Sequence, residues 1–139
     1  MKMGMNIPWV LETQEPYFSM MDRGEKTYDG RAPDVTSKPT HTEMGKNYKL
    51  ISQFDSIHIQ LVDASYKRVL TVPQLLFTVF NVTRYDSIKD ALKRVNFKKL
   101  MPDVSSEEEL LKKYFLSPNY EMRVRKSGFV VVELRKSFP

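Results

Sequence analysis

Between Leu75 and Thr83 the chain carries Leu75, Leu76, Phe77, Val79, Phe80 and Val82, so apolar side chains fall on both faces of an extended segment. Such a strand is expected at the centre of a sheet, where both faces are covered. The remaining elements must be arranged around it. Ser56 to Leu61 alternates Ile57, Ile59 and Leu61 with Ser56, His58 and Gln60, the pattern of a strand with one buried face. Arg68 to Val72 reads as a further strand, set off from the central one by Pro73 at a turn, bulge or edge. Trp9 to Gln14 is a short first strand and Phe129 to Leu134 the closing one.

Helices occupy the gaps. Glu15-Pro16 starts a short one with proline in its first turn; Tyr17, Phe18, Met20 and Met21 form its apolar side, and Gly24 sits at the left-handed position that ends it. Asp86 or Ser87 caps a second, in which Ile88, Ala91, Leu92 and Val95 follow i, i+3, i+4, i+7 spacing. After Pro102, Ser105 with Glu108 or Ser106 with Glu109 forms a capping box, and the acidic run Glu107 to Glu109 complements the helix N-terminus. Leu110, Leu111, Tyr114 and Phe115 of this helix are expected to face inward. The order strand, helix, several strands, two helices, strand predicts an α+β barrel or sheet with its helices grouped to one side. At 139 residues, 41% of them hydrophobic, the chain is sized for one domain over residues 1–139. The polar stretch from about residue 32 to 48, with Pro33, Pro39 and Gly45, is long for a loop and is expected either to be disordered or to act as a flap over a site.

Charge is distributed unevenly. Residues 1–83 hold 9 Lys and Arg against 9 Asp and Glu, whereas residues 84–139 hold 13 against 8, so the whole net charge of +5 lies in the C-terminal part. A clustered positive field favours nucleic acid or another polyanion as partner; the alternative is a solvated lysine-rich surface. The absence of cysteine excludes disulfides, a thiol nucleophile and thiolate metal ligands, and fits a reducing compartment. Without a signal-like N-terminus or an apolar run long enough to span a bilayer, the expected location is intracellular, cytoplasmic or nuclear, away from membranes.

The sequence contains no glycine-rich phosphate loop, HExxH, GxSxG or calcium-loop motif. His41 and His58 lack ligand spacing and read as a loop residue and the polar face of a strand, so no metal and no cofactor are expected. Asn81-Val82-Thr83 matches a glycosylation sequon inside a strand and reads as chance. One segment stands apart, Gly24-Glu25-Lys26-Thr27-Tyr28-Asp29-Gly30-Arg31. If it is extended, Asp29 and Arg31 share one face and Lys26 lies at its start. An aspartate between two cations orients them and leaves donors for a phosphate, a ribose or a carbonyl; the same residues also describe an ordinary salt-bridged strand end.

This segment resembles the GxKxxExR signature of the ASCH-domain family of PUA-like β-barrels, with Gly24, Lys26 and Arg31 matching and Asp29 in place of the usual Glu. Its surroundings are similar too: Glu15-Pro16 and a short helix before it, then Tyr85-Asp86-Ser87, Leu100-Met101-Pro102 and a hydrophobic closing strand after it. The likeness runs from about Trp9 to Leu134, with a second departure at Phe54-Asp55, where the family commonly has Gly-Asp. It implies a PUA-like barrel with flanking helices and a cleft that binds RNA or a nucleotide, with Lys26 and Arg31 as contacts to phosphate or base.

Small family members that deacetylate N4-acetylcytidine use a Lys at the position of Lys26, a Thr where this chain has Asp29, and a Glu whose register falls near Asp103. The resemblance therefore also offers Lys26, Asp29 and Asp103 as a catalytic set, although the hydroxyl nucleophile is missing. Other members are linked to RNA cleavage. Around the cleft, Arg84, Lys93, Lys98, Arg123 and Arg125 are the basic residues expected to join RNA binding. Three functions stay open: a binding module, a hydrolase of modified nucleoside or RNA, and a protein-interaction adaptor in which the charged strand is structural.

Overall fold

The computed structural model describes residues 8–32, 51–117 and 119–137. The long polar stretch read as a loop or flap lies, apart from Ala32, outside the described residues, as does His41. Five strands, β1 (Trp9–Thr13), β2 (Tyr28–Arg31), β3 (Ser56–Leu61), β4 (Leu75–Tyr85) and β5 (Phe129–Lys136), form one sheet in the order β1-β3-β4-β5-β2. β1 pairs with β3 in parallel, and every other pairing is antiparallel. Five helices accompany them among the described residues: α1 (Tyr17–Asp22), α2 (Ile88–Leu92), α3 (Phe97–Leu100), α4 (Glu107–Tyr114) and α5 (Tyr120–Ser127). The mixed sheet curls into a half-barrel, and the whole is the α+β architecture of a PUA-like barrel with flanking helices.

β4 does occupy the middle of the sheet, but not because both of its faces are buried. Phe77 and Val79 point into the curl, while Leu76 and Phe80 stay exposed on the outside, where the Arg135 guanidinium lies 3.4 Å from the Phe80 ring centre. A register shift between Val79 and Asn81 accommodates Phe80 as an extra residue. The strand covered on both faces is β5. Val130, Val132 and Leu134 pack inside the curl with Leu11, Ile57, Ile59 and, from α1, Phe18 and Met21. Phe129 and Val131 pack outside it with Ile88, Leu100, Val104, Leu110 and Val124 from α2 to α5 and their connections. The helices are accordingly not all on one side, since α1 plugs the curl.

Other expectations need amendment. Arg68 to Val72 is not a strand; only Arg68 bridges, to Val62. Backbone bonds from the Asp63 N–H to the Lys67 carbonyl and from the Val69 N–H to the Leu61 carbonyl flank that single bridge, while Asp63 Oδ1 accepts the backbone N–H groups of Ser65 and Lys67, winding a side-chain turn, and Gln60 Nε2 donates to the Val69 carbonyl. Two helices, α3 and α5, join the two expected after β4. Asn96 caps α3 by accepting the Lys98 N–H, a start signal that the sequence reading passes over. Ser87 caps α2 and Ser106 caps α4, the latter through the Glu109 N–H while Glu109 reaches back to the Ser105 N–H. Leu110 is fully buried, but Phe115 lies just beyond α4 and is 40% exposed.

Candidate functional site

The two edge strands, β1 and β2, are neighbours in sequence and lie at opposite ends of the sheet order. The curl brings these edges together, and α1 with its C-terminal turn spans the seam. At that turn the Gly24 N–H donates to the Met21 carbonyl and the Glu25 N–H to the Met20 carbonyl, both bonds of a Schellman cap, with Gly24 at φ +80°. The Lys26 N–H also donates to the Met20 carbonyl, so the cap fixes where the lysine enters. Beyond it β2 pairs with β5, Asp29 opposite Val132 and Arg31 opposite Val130. Since Val130 and Val132 face the inside of the curl, Asp29 and Arg31 do as well. Across the seam Thr13 shares the inward face of β1 with Leu11.

Arg31 ties the seam: its Nε donates to Asp29 Oδ2 at 3.0 Å and its Nη2 to the Glu12 carbonyl of β1, also at 3.0 Å. Gly30 faces the other way, toward the helices. A Cβ there would stand 2.4 Å from Phe129 Cζ, so the glycine is required by close packing. Its carbonyl accepts the Tyr114 hydroxyl at 2.9 Å. Tyr120 Oη accepts the Ala32 N–H, and Arg123 Nη2 donates to the Ala32 carbonyl, so α4 and α5 are tied to the end of β2.

These elements enclose a cleft of about 350 Å³, lined among others by Thr13, Tyr17, Lys26, Asp29, Arg31, Lys113, Tyr114, Tyr120 and Arg123. Lys26 is 5% exposed. Its Nζ donates to the Tyr28 carbonyl at 2.7 Å and to the Leu100 carbonyl, one of those a helix leaves unpaired at its C-terminus. Burial is the largest influence on its charge and pushes its pKa down to about 8; Asp29 and Asp103 oppose the fall, and Arg31 reinforces it. With two directions on the nitrogen already bonded to carbonyls, the amine holds its third proton below about pH 8 and a lone pair above it. Two lysine nitrogens approach the Tyr17 ring, Lys26 Nζ at 5.6 Å and Lys113 Nζ at 5.9 Å from its centre. Burial raises the Tyr114 and Tyr120 phenols, which stay protonated donors at neutral pH.

The structure thus brings Lys26, Asp29, Arg31 and Arg123 to one cleft. Asp103 stands beside it and accepts from Tyr17 Oη at 3.3 Å and from Lys113 Nζ. Partial desolvation works to raise the Asp103 carboxyl, but the Lys113 bond and charge outweigh it and hold the pKa below its ordinary value. Arg84, Lys93, Lys98 and Arg125 do not line the cleft. Arg84 donates to the Ser127 carbonyl, Lys93 pairs with Asp90, Lys98 donates to the Val104 carbonyl, and Arg125 pairs with Glu121. The sequence reading missed Thr13, Tyr17, Lys113 and Tyr120 as lining residues and took Tyr114 only as core. Tyr120 and Arg123 stand three apart on α5, a pairing visible only once that helix is recognised. Among the described residues no cluster of three or more His, Cys, Asp or Glu is placed to hold a metal, and no helix is long and apolar enough to cross a membrane.

No protein-family model matches the chain, and no curated protein matches it in sequence. Among solved structures it is similar to the hypothetical protein PH0355, at 24% identity and a TM-score of 0.67 over 94% of this chain and 100% of that one. It is also similar to protein PF0455 from Pyrococcus furiosus, at 19% identity and a TM-score of 0.58 over 94% and 97% of the two chains. At these identities the likeness shows a shared fold.

Proposed function

We propose that the chain is a single ASCH-like domain over residues 1–139 that binds intracellular RNA or a nucleotide, taking one nucleoside into the cleft between β1 and β2. The observation that carries this reading is the convergence of Lys26, Asp29 and Arg31 in a cleft of about 350 Å³ walled by Tyr17, Tyr114 and Tyr120. Aromatic walls offer a base flat surfaces to stack on, and two cations beside them meet phosphate or carbonyl oxygen through charge-assisted bonds. The ASCH resemblance gains support from Phe54, which has φ +73° at the position where that family commonly has glycine. Arg84, Lys93, Lys98 and Arg125, away from the cleft, are assigned to flanking phosphates of a longer RNA. The test is a titration of labelled single-stranded RNA at several salt concentrations. Replacing Lys26 and Arg31 together by alanine is expected to weaken binding and to flatten the slope of log affinity against log salt; a variant unchanged in both would refute the assignment.

A second reading, hydrolysis of N4-acetylcytidine or of RNA, has one observation in its favour: the Lys26 amine is buried in the cleft on the Tyr28 and Leu100 carbonyls, and that burial lowers its pKa to about 8. As a base it takes a proton from water attacking the acetyl carbonyl, and it returns that proton to the departing cytidine nitrogen as the C–N bond breaks, leaving acetate and cytidine. Asp29 holds Arg31 and helps to keep Lys26 charged. Incubation with N4-acetylcytidine and with labelled RNA distinguishes the readings. A hydrolase releases acetate or fragments that Lys26→Ala and Asp29→Asn abolish, and a binder or an adaptor releases none.

A further inference from the structure

Among the described residues three that are not glycine have positive φ, Phe54, Tyr66 and Asn119, and of these only Tyr66 lines the cleft. It stands at φ +62° in the loop that follows β3. That loop is the three-residue connection Ala64-Ser65-Tyr66, closed by the Tyr66 N–H on the Asp63 carbonyl and the Asp63 N–H on the Lys67 carbonyl. The third position of such a connection is left-handed and favours glycine, because a Cβ is strained there. A tyrosine fills it here and leaves 61% of its surface exposed, so burial does little to offset the strain. The loop is also moored to the wall of the cleft. Gln14 Nε2 donates to the Asp63 carbonyl at 3.0 Å, and Arg68 pairs with Glu12 at 2.9 Å, Glu12 and Gln14 themselves being lining residues. The exposed ring is thereby held at the rim, whereas Tyr17, Tyr114 and Tyr120 are half-buried in the walls.

We propose that Tyr66 is a stacking platform at the rim of the cleft for the base next to the one held inside, so that the ligand is single-stranded RNA of at least two nucleotides. This rests on the nucleoside reading above. A strained, solvated ring contributes little to the free fold, and its position at the mouth of a cleft gives it a use once a ligand is bound. Every base has a flat face that can lie on a phenol ring, so the platform adds affinity for a second nucleotide without reading its identity. Bases within a duplex are already stacked on their neighbours, and the platform therefore favours a single strand. Because the ring is uncharged, it adds this affinity without adding to the salt dependence of binding.

The test compares wild type, Tyr66→Asn and Tyr66→Phe by melting temperature, by titration with labelled single-stranded RNA at several salt concentrations, and by NMR titration with the four nucleoside 5′-monophosphates. Asparagine tolerates a left-handed backbone, so Tyr66→Asn is expected to melt at or above the wild-type temperature. It is expected to bind RNA about tenfold more weakly, with the slope of log affinity against log salt unchanged and the monophosphates bound as by wild type. Tyr66→Phe keeps the ring and the affinity for RNA. A Tyr66→Asn variant that melts lower shows that the ring serves the fold and overturns the proposal. So does one that weakens the monophosphates as much as RNA, which would place the ring on the inner nucleotide. A Tyr66→Asn variant that binds RNA like wild type, while the Lys26 and Arg31 double variant does not, refutes the platform and leaves the nucleoside reading standing. If wild type binds RNA but no monophosphate, the division into inner and outer base fails; if it binds neither, both readings fall.

Discussion

Replacing Lys26 by methionine keeps the length and most of the apolar stem of a buried side chain and removes only its charge and donors. In the folded chain the amine titrates near pH 8, against 10.5 for an ordinary lysine. At about 1.4 kcal/mol for each tenfold change in proton affinity, burying the charged form costs about 3 kcal/mol. The group is fully enclosed, so solvent screening does not reduce that figure much. Because the folded value lies below the unfolded one, the unfolded chain holds the proton more tightly between about pH 8 and 10.5. The cost is at full size below that window and vanishes as pH rises through it, so wild-type stability gains with pH there. Methionine also leaves the Tyr28 and Leu100 carbonyls without their donor, at about 1–3 kcal/mol each, but that loss is independent of pH. Tyr17, Tyr114 and Tyr120 titrate in both proteins and largely cancel in the difference. Urea unfolding followed by the fluorescence of Trp9, the single tryptophan, measures both proteins across this range. The stability difference between wild type and Lys26→Met is expected to move by about 3 kcal/mol in favour of wild type from neutral pH to above 10. Parallel curves would show that Lys26 is hydrated and titrates normally, and the argument for a depressed amine would fail.

Two further predictions concern the frame of the cleft. Gly30→Ala drives a methyl group to 2.4 Å from Phe129 Cζ and 2.8 Å from Cε2, and displacing that fully buried ring is expected to cost about 1–3 kcal/mol of stability, read by thermal unfolding; an unchanged melting temperature would mean the ring gives way freely. Phe54→Gly relieves a left-handed backbone at φ +73° beneath a side chain that is 73% exposed. It is expected to be neutral or to stabilise by up to about 1 kcal/mol, the relief being offset in part by the added freedom of the unfolded chain. Clear destabilisation in the same assay would show that the phenyl ring has a packing role.

The parts of the fold that were legible in the sequence are those set by local chemistry. Gly24 ends α1, Ser87 and Ser106 cap their helices, and the alternation of Ile57 and Ile59 gives β3 its buried face, because each depends on residues within one turn or one strand. What apolar pattern alone left undecided was which strand is covered on both sides. β4 and β5 are comparably apolar, and only the helices packed on Phe129 and Val131 make β5 the one with two buried faces. The missing strand at Arg68 to Val72 has a similar cause, since the competing side-chain turn begins at Asp63, outside the segment being read. In the cleft, the alternation in Lys26 to Arg31 placed Asp29 and Arg31 on one face. It carried no information about Tyr120 or Arg123, which approach the end of β2 from 88 and 91 residues away.

Net charge and the cations of the cleft are distributed differently along the chain, for a reason that follows from electrostatics. The C-terminal part carries the entire net positive charge, yet Arg84, Lys93, Lys98 and Arg125 from that part lie away from the cleft, bonded to nearby carboxylates or carbonyls. Of the cations that line the cleft, Lys113 and Arg123 come from that same part, whereas Lys26 and Arg31 come from the part whose charges sum to zero. Net charge sets the long-range field that draws a polyanion in, and that field is screened over about 10 Å at ordinary salt. Local chemistry depends on desolvation instead: one lysine enclosed between α1, β2 and α3 is made chemically distinct by burial, whereas a hydrated one is not. The seam provides that enclosure because it is where two sheet edges meet without pairing along their length. Arg31 takes up the Glu12 carbonyl there, and the gap that remains is the cleft.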